Sequence, residues 1–165
     1  AWTSLPDGVV TLAERPNARW HDPHWRARTV GEISAEITRL SQAVGAGDGA
    51  CFAAGRSHLL GASGTITSLA GVHLDLPRYQ RNRVDGLWMS PQDARTAAAR
   101  MAALDHAGRA AHPCIGPERA DLVLPGAAIL EAGFRAWPAP RIRVADRGLR
   151  EGVLFTLAAQ HEAQG

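Results

Sequence analysis

The stretch from residue 57 to 71, SHLLGASGTITSLAG, holds the residues best suited to bind an anion. Two leucines run into a glycine turn that carries three hydroxyls, and helix-compatible apolar residues follow. A strand that ends in such a turn and opens a helix presents unpaired backbone N–H groups at the positive end of the helix dipole. The glycines let a ligand approach the backbone, and the hydroxyls are adjustable donors. The candidate phosphate-binding residues are therefore Gly61, Ser63, Gly64 and Thr65.

The same residues also fit a plain strand-to-helix turn, with Ser63 or Thr65 as the helix N-cap. The turn reads Gly-Ala-Ser-Gly-Thr, so it lacks the Gly-x-Ser-x-Gly pattern of a serine-hydrolase nucleophile. The stretch alone therefore indicates an anion site or a capped turn, and no nucleophile.

Other residues with chemical potential form weaker patterns. His21 and His24 are three residues apart in an irregular segment with one acid, which is a poor metal pair. Asp121 and Asp146 sit where Mg²⁺ could be held through water, although Asp121 beside Arg119 is better explained as an ion pair. We therefore assign no catalytic residue and no metal ligand.

Two basic and aromatic groupings allow more than one interpretation. Arg141 and Arg143 alternate with apolar residues, which predicts a strand with one basic face. That face could form a phosphate track for a polyanion, but a solvated basic surface is the simpler reading. Trp20 and Trp25 beside Arg26 could stack a nucleotide, and anchoring of a loop explains them equally well.

Composition limits the class of protein. The chain has 165 residues, 45% hydrophobic and 21% charged, which suits one globular domain. Its 18 basic residues are all arginine, and a net charge of +2 is too balanced for bulk binding of nucleic acid. Cys51 and Cys114 lie far apart in the sequence and neither belongs to a Cys-x-x-Cys pair, which is typical of reduced thiols. No apolar run suits a membrane span and no signal peptide is evident, so we expect a cytoplasmic protein without membrane or nucleic-acid partners.

Hydrophobic periodicity predicts strands that alternate with helices. Thr29 and Glu32 suggest a capping box at one helix start, and Ser90, Pro91 and Asp93 suggest another. The last helix, from residue 148, should turn its Val153, Leu154 and Leu157 inward. We predict strands over 3–13, 57–61 and 141–145, helices over 29–44 and 127–136 and from residue 90, and a glycine-rich linker over 45–50.

Alternating strands and helices indicate an α/β domain. In such sheets, ligands collect where strands end and helices begin. Glycines mark three junctions of this kind, at residues 61–65, 125–126 and 146–152. We therefore expect these three segments to meet at one site.

The sequence of these junctions resembles the exopolyphosphatase / guanosine pentaphosphate phosphatase (Ppx/GppA) family. The segments GASGTITSLA, ERADLVLPGAAIL and DRGLREG follow one another in the family's order. The opening SLPDGVVTLAER is similar to the family segment just after its second phosphate loop. The likeness covers nearly the whole chain.

The resemblance implies a ribonuclease-H-like, actin-like ATPase fold, with residues 1–165 as the second of two domains and with the first strands of that domain missing. The family's first domain, with its phosphate loop and catalytic glutamate, has no counterpart here, and neither has its Asp-x-Gly-Gly-Gly-Ser-Thr-Glu loop. Family members release terminal phosphate from inorganic polyphosphate or guanosine pentaphosphate with a divalent metal, for which we expect Mg²⁺. The resemblance places Gly61, Ser63, Gly64 and Thr65 on a cleft wall, and Arg119 and Arg150 against the phosphate chain.

We therefore expect a fragment of a phosphatase that is inactive alone and needs the missing N-terminal domain as its partner. A homodimer is left open. Two alternatives also stay open at this point. One is a non-catalytic module that binds polyphosphate or guanosine polyphosphates. The other is half of an actin-like-fold sugar or acyl kinase, for which no clear adenine pocket is evident.

Overall fold

The computed structural model describes residues 3–43 and 50–162, in which helices pack on one face of a small mixed sheet. Of the predicted linker over 45–50, only Ala50 lies within the described residues. None of the described helices is long and apolar enough to cross a membrane. The elements are α1 (Val9–Ala13), α2 (Pro23–Ala43), α3 (Ala50–Ala53), β1 (Leu59–Gly61), α4 (Gly64–His73), α5 (Arg81–Val84), β2 (Trp88–Met89), α6 (Pro91–Ala103), α7 (His106–Ala111), a short 3-10 helix (Pro117–Arg119), α8 (Val123–Ala136), β3 (Ile142–Val144) and α9 (Leu149–Glu162).

The sheet has the strand order β1-β3-β2. Strand β1 runs parallel to β3, with Gly61 opposite Val144, and β2 runs antiparallel to it, with Met89 opposite Ile142. A parallel pair needs a crossover, and here the chain from α4 to α8 supplies it. The turns that follow β1 and β3 therefore meet at the same edge of the sheet.

The core lies between the inner face of the sheet and helices α4, α6 and α8. Ile142 and Val144 point into it from β3, and Leu69, Met101 and Val123 fill it from the helices. A second cluster joins α1, α2 and α8. The first cluster packs α4 against the sheet, and the second packs α1 and α2 against the other side of the core through α8.

Several predicted elements are confirmed. Strands lie at 59–61 and 142–144, inside the predicted ranges. Helix α6 begins with a capping box: the Ser90 hydroxyl accepts from the Asp93 amide at 3.1 Å, and the Asp93 carboxylate accepts from the Ser90 amide at 2.8 Å. Pro91 occupies the first helical position, as expected of a residue with no amide hydrogen.

The predicted strand over 3–13 is wrong, because residues 9–13 form helix α1. The Gly8 amide donates to the Thr11 hydroxyl at 2.8 Å, which begins the helical turn. Leu12 is then fully buried against α2 and α8. Burial of one side chain thus outweighs the strand preference of Val9 and Val10.

The start predicted for the second helix is also wrong. Thr29 lies inside α2 and its hydroxyl donates to the Trp25 carbonyl at 3.1 Å. The helix begins at Pro23, and the Asp22 carboxylate accepts from the amides of His24 and Trp25. An acidic residue followed by proline is itself a start signal.

Helix α8 begins four residues earlier than predicted, so the proposed junction at 125–126 is wrong. Pro125 and Gly126 are buried inside the helix. A Cβ at Gly126 would lie 2.6 Å from Cγ2 and 2.7 Å from Cβ of Thr65. This glycine therefore lets α8 approach α4 closely, and it does not follow a strand.

The residues of α9 predicted to face inward are exposed. None of the described residues of α9 is buried, and Leu154 is 66% and Phe155 79% exposed. The predicted helix is confirmed, but the rest of the described chain provides no surface against which its apolar side chains pack.

Candidate functional site

The turn between β1 and α4 is built as an anion-binding turn requires. Ser63 is the N-cap, and its hydroxyl oxygen accepts from the Ile66 amide at 3.2 Å. Within the described chain, no group accepts from the amides of Gly64 or Thr65. Two N–H groups therefore remain available at the positive end of the helix.

A cleft of about 330 Å³ opens beside this turn, at the edge of the sheet where β1 and β3 end. The turn forms one wall, and the segment from 145 to 151 after β3 forms the other. Four guanidinium groups and two carboxylates line it. They belong to Arg81, Arg119, Arg147, Arg150, Asp146 and Glu151.

Two of these arginines are compensated by acids. The Arg81 Nε lies 2.7 Å from the Asp146 carboxylate, and the Arg147 Nε lies 3.9 Å from Asp85. Across residues 3–43 and 50–162, no carboxylate lies within 4.0 Å of Arg119 or Arg150. These two arginines therefore give the cleft positive charge that no close carboxylate neutralises. The planar, forked guanidinium group is well suited to bind phosphate.

Arg119 lies directly against the first turn of α4. A Cβ built at Gly64 would stand 3.0 Å from the Arg119 Nε and 3.1 Å from its Cζ. A side chain at position 64 would force the guanidinium to move by at least a few tenths of an ångström. The glycine thus brings a spare cation next to the unpaired amides.

Asp146 holds a cation in place and stays ionised. Burial alone would raise the pKa of its carboxyl group, but the hydrogen bond from Arg81, the nearby Tyr79 hydroxyl and the charges of Arg81 and Arg119 lower that pKa below its usual value. Arg81 also donates to the Asp146 carbonyl at 2.8 Å. The carboxylate is thereby engaged by the protein itself.

Tyr79 lies behind this ion pair. Its hydroxyl oxygen is buried and makes no hydrogen bond of ordinary geometry in the described chain, although Asp146 and Thr67 are close enough to affect it. Burial, followed by the nearby Asp146, raises the pKa of Tyr79 to about 12. The phenol is therefore neutral at any physiological pH.

The comparison with known proteins decides the family. The model of the Ppx/GppA phosphatase family matches residues 1–161. The chain belongs to the Ppx/GppA phosphatase family. No curated protein sequence matches it.

Solved Ppx/GppA structures share the fold. A family member from Aquifex aeolicus has a TM-score of 0.79 at 21% identity, over 96% of this chain and 49% of its own. The type II variant of the Aquifex aeolicus Ppx/GppA phosphatase has 0.76 at 22% identity, over 93% and 48%. An exopolyphosphatase from Cytophaga hutchinsonii has 0.76 at 20% identity, over 94% and 48%. The chain therefore has the predicted actin-like α/β fold and spans about half the length of these structures.

Four of the six residues predicted for the Ppx/GppA phosphate site lie in the cleft: Ser63, Gly64, Arg119 and Arg150. The other two lie elsewhere. Thr65 is buried against Gly126, and a Cβ at Gly61 would lie 2.7 Å from Ile142. Both line a separate apolar groove of about 430 Å³.

The sequence did not point to Arg81, Arg147 or Tyr79. Arg147 falls within the junction flagged at 146–152, so its place follows once β3 is known. Tyr79 precedes the short helix α5 and Arg81 is its first residue, and this part of the sequence carries no recognisable pattern. Only the fold brings that segment against the turn after β3.

The described residues do not form a metal site on their own. They contain no group of three His, Cys, Asp or Glu side chains able to hold a metal ion. Asp146 is held by Arg81, and the Glu151 carboxylate accepts from the Gly148 amide at 2.8 Å, which lowers the pKa of Glu151. Both cleft carboxylates thus already have partners.

Proposed function

We propose that this chain is the phosphate-binding half of a hydrolase that releases terminal phosphate from inorganic polyphosphate or guanosine pentaphosphate. The observation that carries the proposal is that two cleft arginines, Arg119 and Arg150, form no close ion pair within the described chain and lie near the unpaired amides at the start of α4. We place the enzyme in the cytoplasm, where its two unpaired cysteines would stay reduced.

The arrangement suits a phosphoryl group in particular. Transfer of phosphate spreads negative charge over several oxygens, and catalysis depends on positioning and on neutralising that charge. Amides at a helix N-terminus and forked guanidinium groups do this without moving. In our proposal the turn holds one phosphate of the chain while Arg119 and Arg150 bind its neighbours.

The same geometry supports the expectation that the chain is inactive alone. Hydrolysis also needs a group that positions or deprotonates water. Asp146 and Glu151 are ionised, but each is bonded to a group of the protein. We therefore propose that the base and the ligands of Mg²⁺ come from the half of the family architecture that this chain does not span, and that Mg²⁺ enters with the polyanion.

A module that only binds polyphosphate or guanosine polyphosphates is the second candidate. The engagement of both cleft carboxylates favours it, because binding needs the cations and no base. No feature of the cleft favours the kinase alternative.

The deciding experiment measures phosphate release from polyphosphate and from guanosine pentaphosphate with Mg²⁺. We expect none from this chain and activity after addition of a polypeptide that spans the rest of the family's length. Gly64→Val should abolish that activity and the binding of tripolyphosphate, because its side chain displaces Arg119.

The control for the Gly64 variant is its circular dichroism, which should keep the helical signal of the parent chain. Turnover by this chain alone would contradict the missing-base proposal and direct mutation to Asp146 and Glu151. If the chain binds tripolyphosphate but releases no phosphate, either alone or with the added polypeptide, the result would favour the binding module.

A further inference from the structure

The outer face of the sheet carries cations that the cleft does not use. Arg143 lies in register between Leu60 of β1 and Trp88 of β2. Its neighbours Ile142 and Val144 point into the core, so Arg143 is on the opposite face. That face is open enough to leave Leu60 69% exposed.

Trp88 organises two guanidinium groups on this face. The Cζ of Arg141 lies over the indole at 4.1 Å from its centroid, and the Cζ of Arg143 at 4.9 Å. The His58 ring meets the indole edge-on, with centroids 4.8 Å apart. We call this group the Trp88 strip: His58, Trp88, Arg141 and Arg143.

Stacking fixes these arginines without using up their donors. A guanidinium that lies over an aromatic ring is attracted through its flat face. No hydrogen bond within the described chain uses the guanidinium N–H groups of Arg141 or Arg143, so these groups are available for bonds to oxyanions. The strip therefore presents two pre-positioned anion-binding forks.

The strip has no acid to neutralise it. Among the residues that the structure describes, no carboxylate lies within 4.0 Å of Arg141 or Arg143, whereas Arg15 has two such partners and Arg100 has one. This excess positive charge on one face is the charge complement of a polyanion.

The strip continues the cleft. Arg147, at the cleft wall, lies 3.9 Å from Asp85, and a Cβ at the next residue, Gly86, would stand 2.9 Å from the Arg143 Nη2. Arg147 lies four residues after Arg143 in the chain, so their Cα atoms are at most about 14 Å apart. Arg143 and Arg141 thus extend positive charge outward from the Arg147–Asp85 pair at the cleft wall.

We propose that the Trp88 strip binds the distal part of a linear polyphosphate whose end lies in the cleft. The inference rests on the proposed function and adds a second site that selects long chains. A single-stranded nucleic acid fits less well, because base stacking needs a free aromatic face. Here two guanidinium groups already lie over the indole, and the His58 ring contacts it in a T-shaped arrangement.

The test compares binding of tripolyphosphate and of a long linear polyphosphate by calorimetry, using the whole chain. Arg141→Gln with Arg143→Gln should weaken binding of the long polymer roughly tenfold, flatten its salt dependence and leave tripolyphosphate binding unchanged. Arg119→Gln with Arg150→Gln should weaken binding of both. Arg28→Gln with Arg95→Gln, on α2 and α6, removes the same charge elsewhere and should change neither.

The outcomes separate the two proposals. Binding of the long polymer by the strip variant as tight as by the Arg28 and Arg95 control would overturn the strip. Equal loss for both ligands would overturn it too, since the effect would not depend on chain length. If the chain bound the long polymer through Arg141 and Arg143 but did not bind tripolyphosphate at all, the cleft proposal would be contradicted. The Trp88 strip would still be supported as a polyphosphate-binding surface. Single-stranded RNA bound through the same arginines as tightly as polyphosphate would overturn the choice of ligand.

Discussion

At the residue scale, one phenol reports on the interior of the candidate cleft. Tyr79 is the chain's single tyrosine, so its ionisation is read without overlap from other phenols. Its hydroxyl oxygen is buried beside Asp146, whose charge opposes a second negative charge. The titration of this tyrosine therefore tests whether its hydroxyl is buried beside the Asp146 carboxylate in solution.

We expect Tyr79 to titrate at about 12 in the folded chain, against about 10 in the chain unfolded with guanidinium. Because the folded pKa is the higher one, folding stability from this group is complete below about pH 10 and is lost as the pH rises towards 12. Tyrosinate absorbance in the near ultraviolet measures both titrations. Asp146→Asn should lower the folded midpoint, and an ordinary midpoint in the folded parent chain would show that the hydroxyl is solvated.

At the scale of elements, the approach of α4 and α8 holds the turn in place. Gly126 of α8 meets the Thr65 side chain, and Thr65 is the second residue of α4. The first turn of α4, with the unpaired amides of Gly64 and Thr65, is thus held in place by the contact of the Thr65 side chain with α8. Overpacking at this point would move the turn as well as destabilise the fold.

Gly126→Ala should lower the free energy of unfolding by roughly 1–3 kcal/mol, because its Cβ would overlap Thr65. The matched control is Gly133→Ala in the same helix, where nothing lies within 4 Å of the new Cβ. That change should be neutral or stabilise by about 0.5–1 kcal/mol, since alanine favours a helix over glycine. Urea unfolding of both variants measures the two changes in stability. Equal effects would contradict the close approach of α4 and α8 at Gly126.

The sequence predicted helix starts correctly where hydrogen bonds between residues close in the chain determine them. The capping box at Ser90 and the N-cap at Ser63 were readable because donor and acceptor lie within three residues. The strand predicted across Val9 and Val10 failed because the burial of Leu12 decides that segment. Gly126 shows the same limit: a glycine that marks a close helix contact looks in sequence like one that marks a ligand turn.

The candidate site was predictable in part for the same reason. Gly64 and Ser63 belong to one motif, and Arg119 and Arg150 came from segments that the family resemblance aligned. Arg81 reaches the cleft only because its segment folds against Asp146, which lies 65 residues later in the chain. Neither spacing nor composition encodes a contact of that range.

At the scale of the whole molecule, α9 is the feature that the described chain does not explain. It is a helix of 14 residues with no buried side chain, and Leu149 is 84% exposed. An isolated helix of this length is marginal in water. A contiguous exposed apolar surface usually marks an interface, and the chain spans about half of the Ppx/GppA structures that share its fold.

We therefore expect the remaining half of the family architecture to cover α9. Hydrogen exchange of this chain alone should show α9 amides almost unprotected and α8 amides well protected, because only α8 is packed in the core. Adding a polypeptide that spans the missing length should protect α9 and leave α8 unchanged. Protection of α9 in the chain alone, rising with concentration and with a doubled mass by light scattering, would instead show a second copy covering the helix. The homodimer would then replace the two-domain partner, and the cleft would have to draw its missing base from a second copy of the same chain.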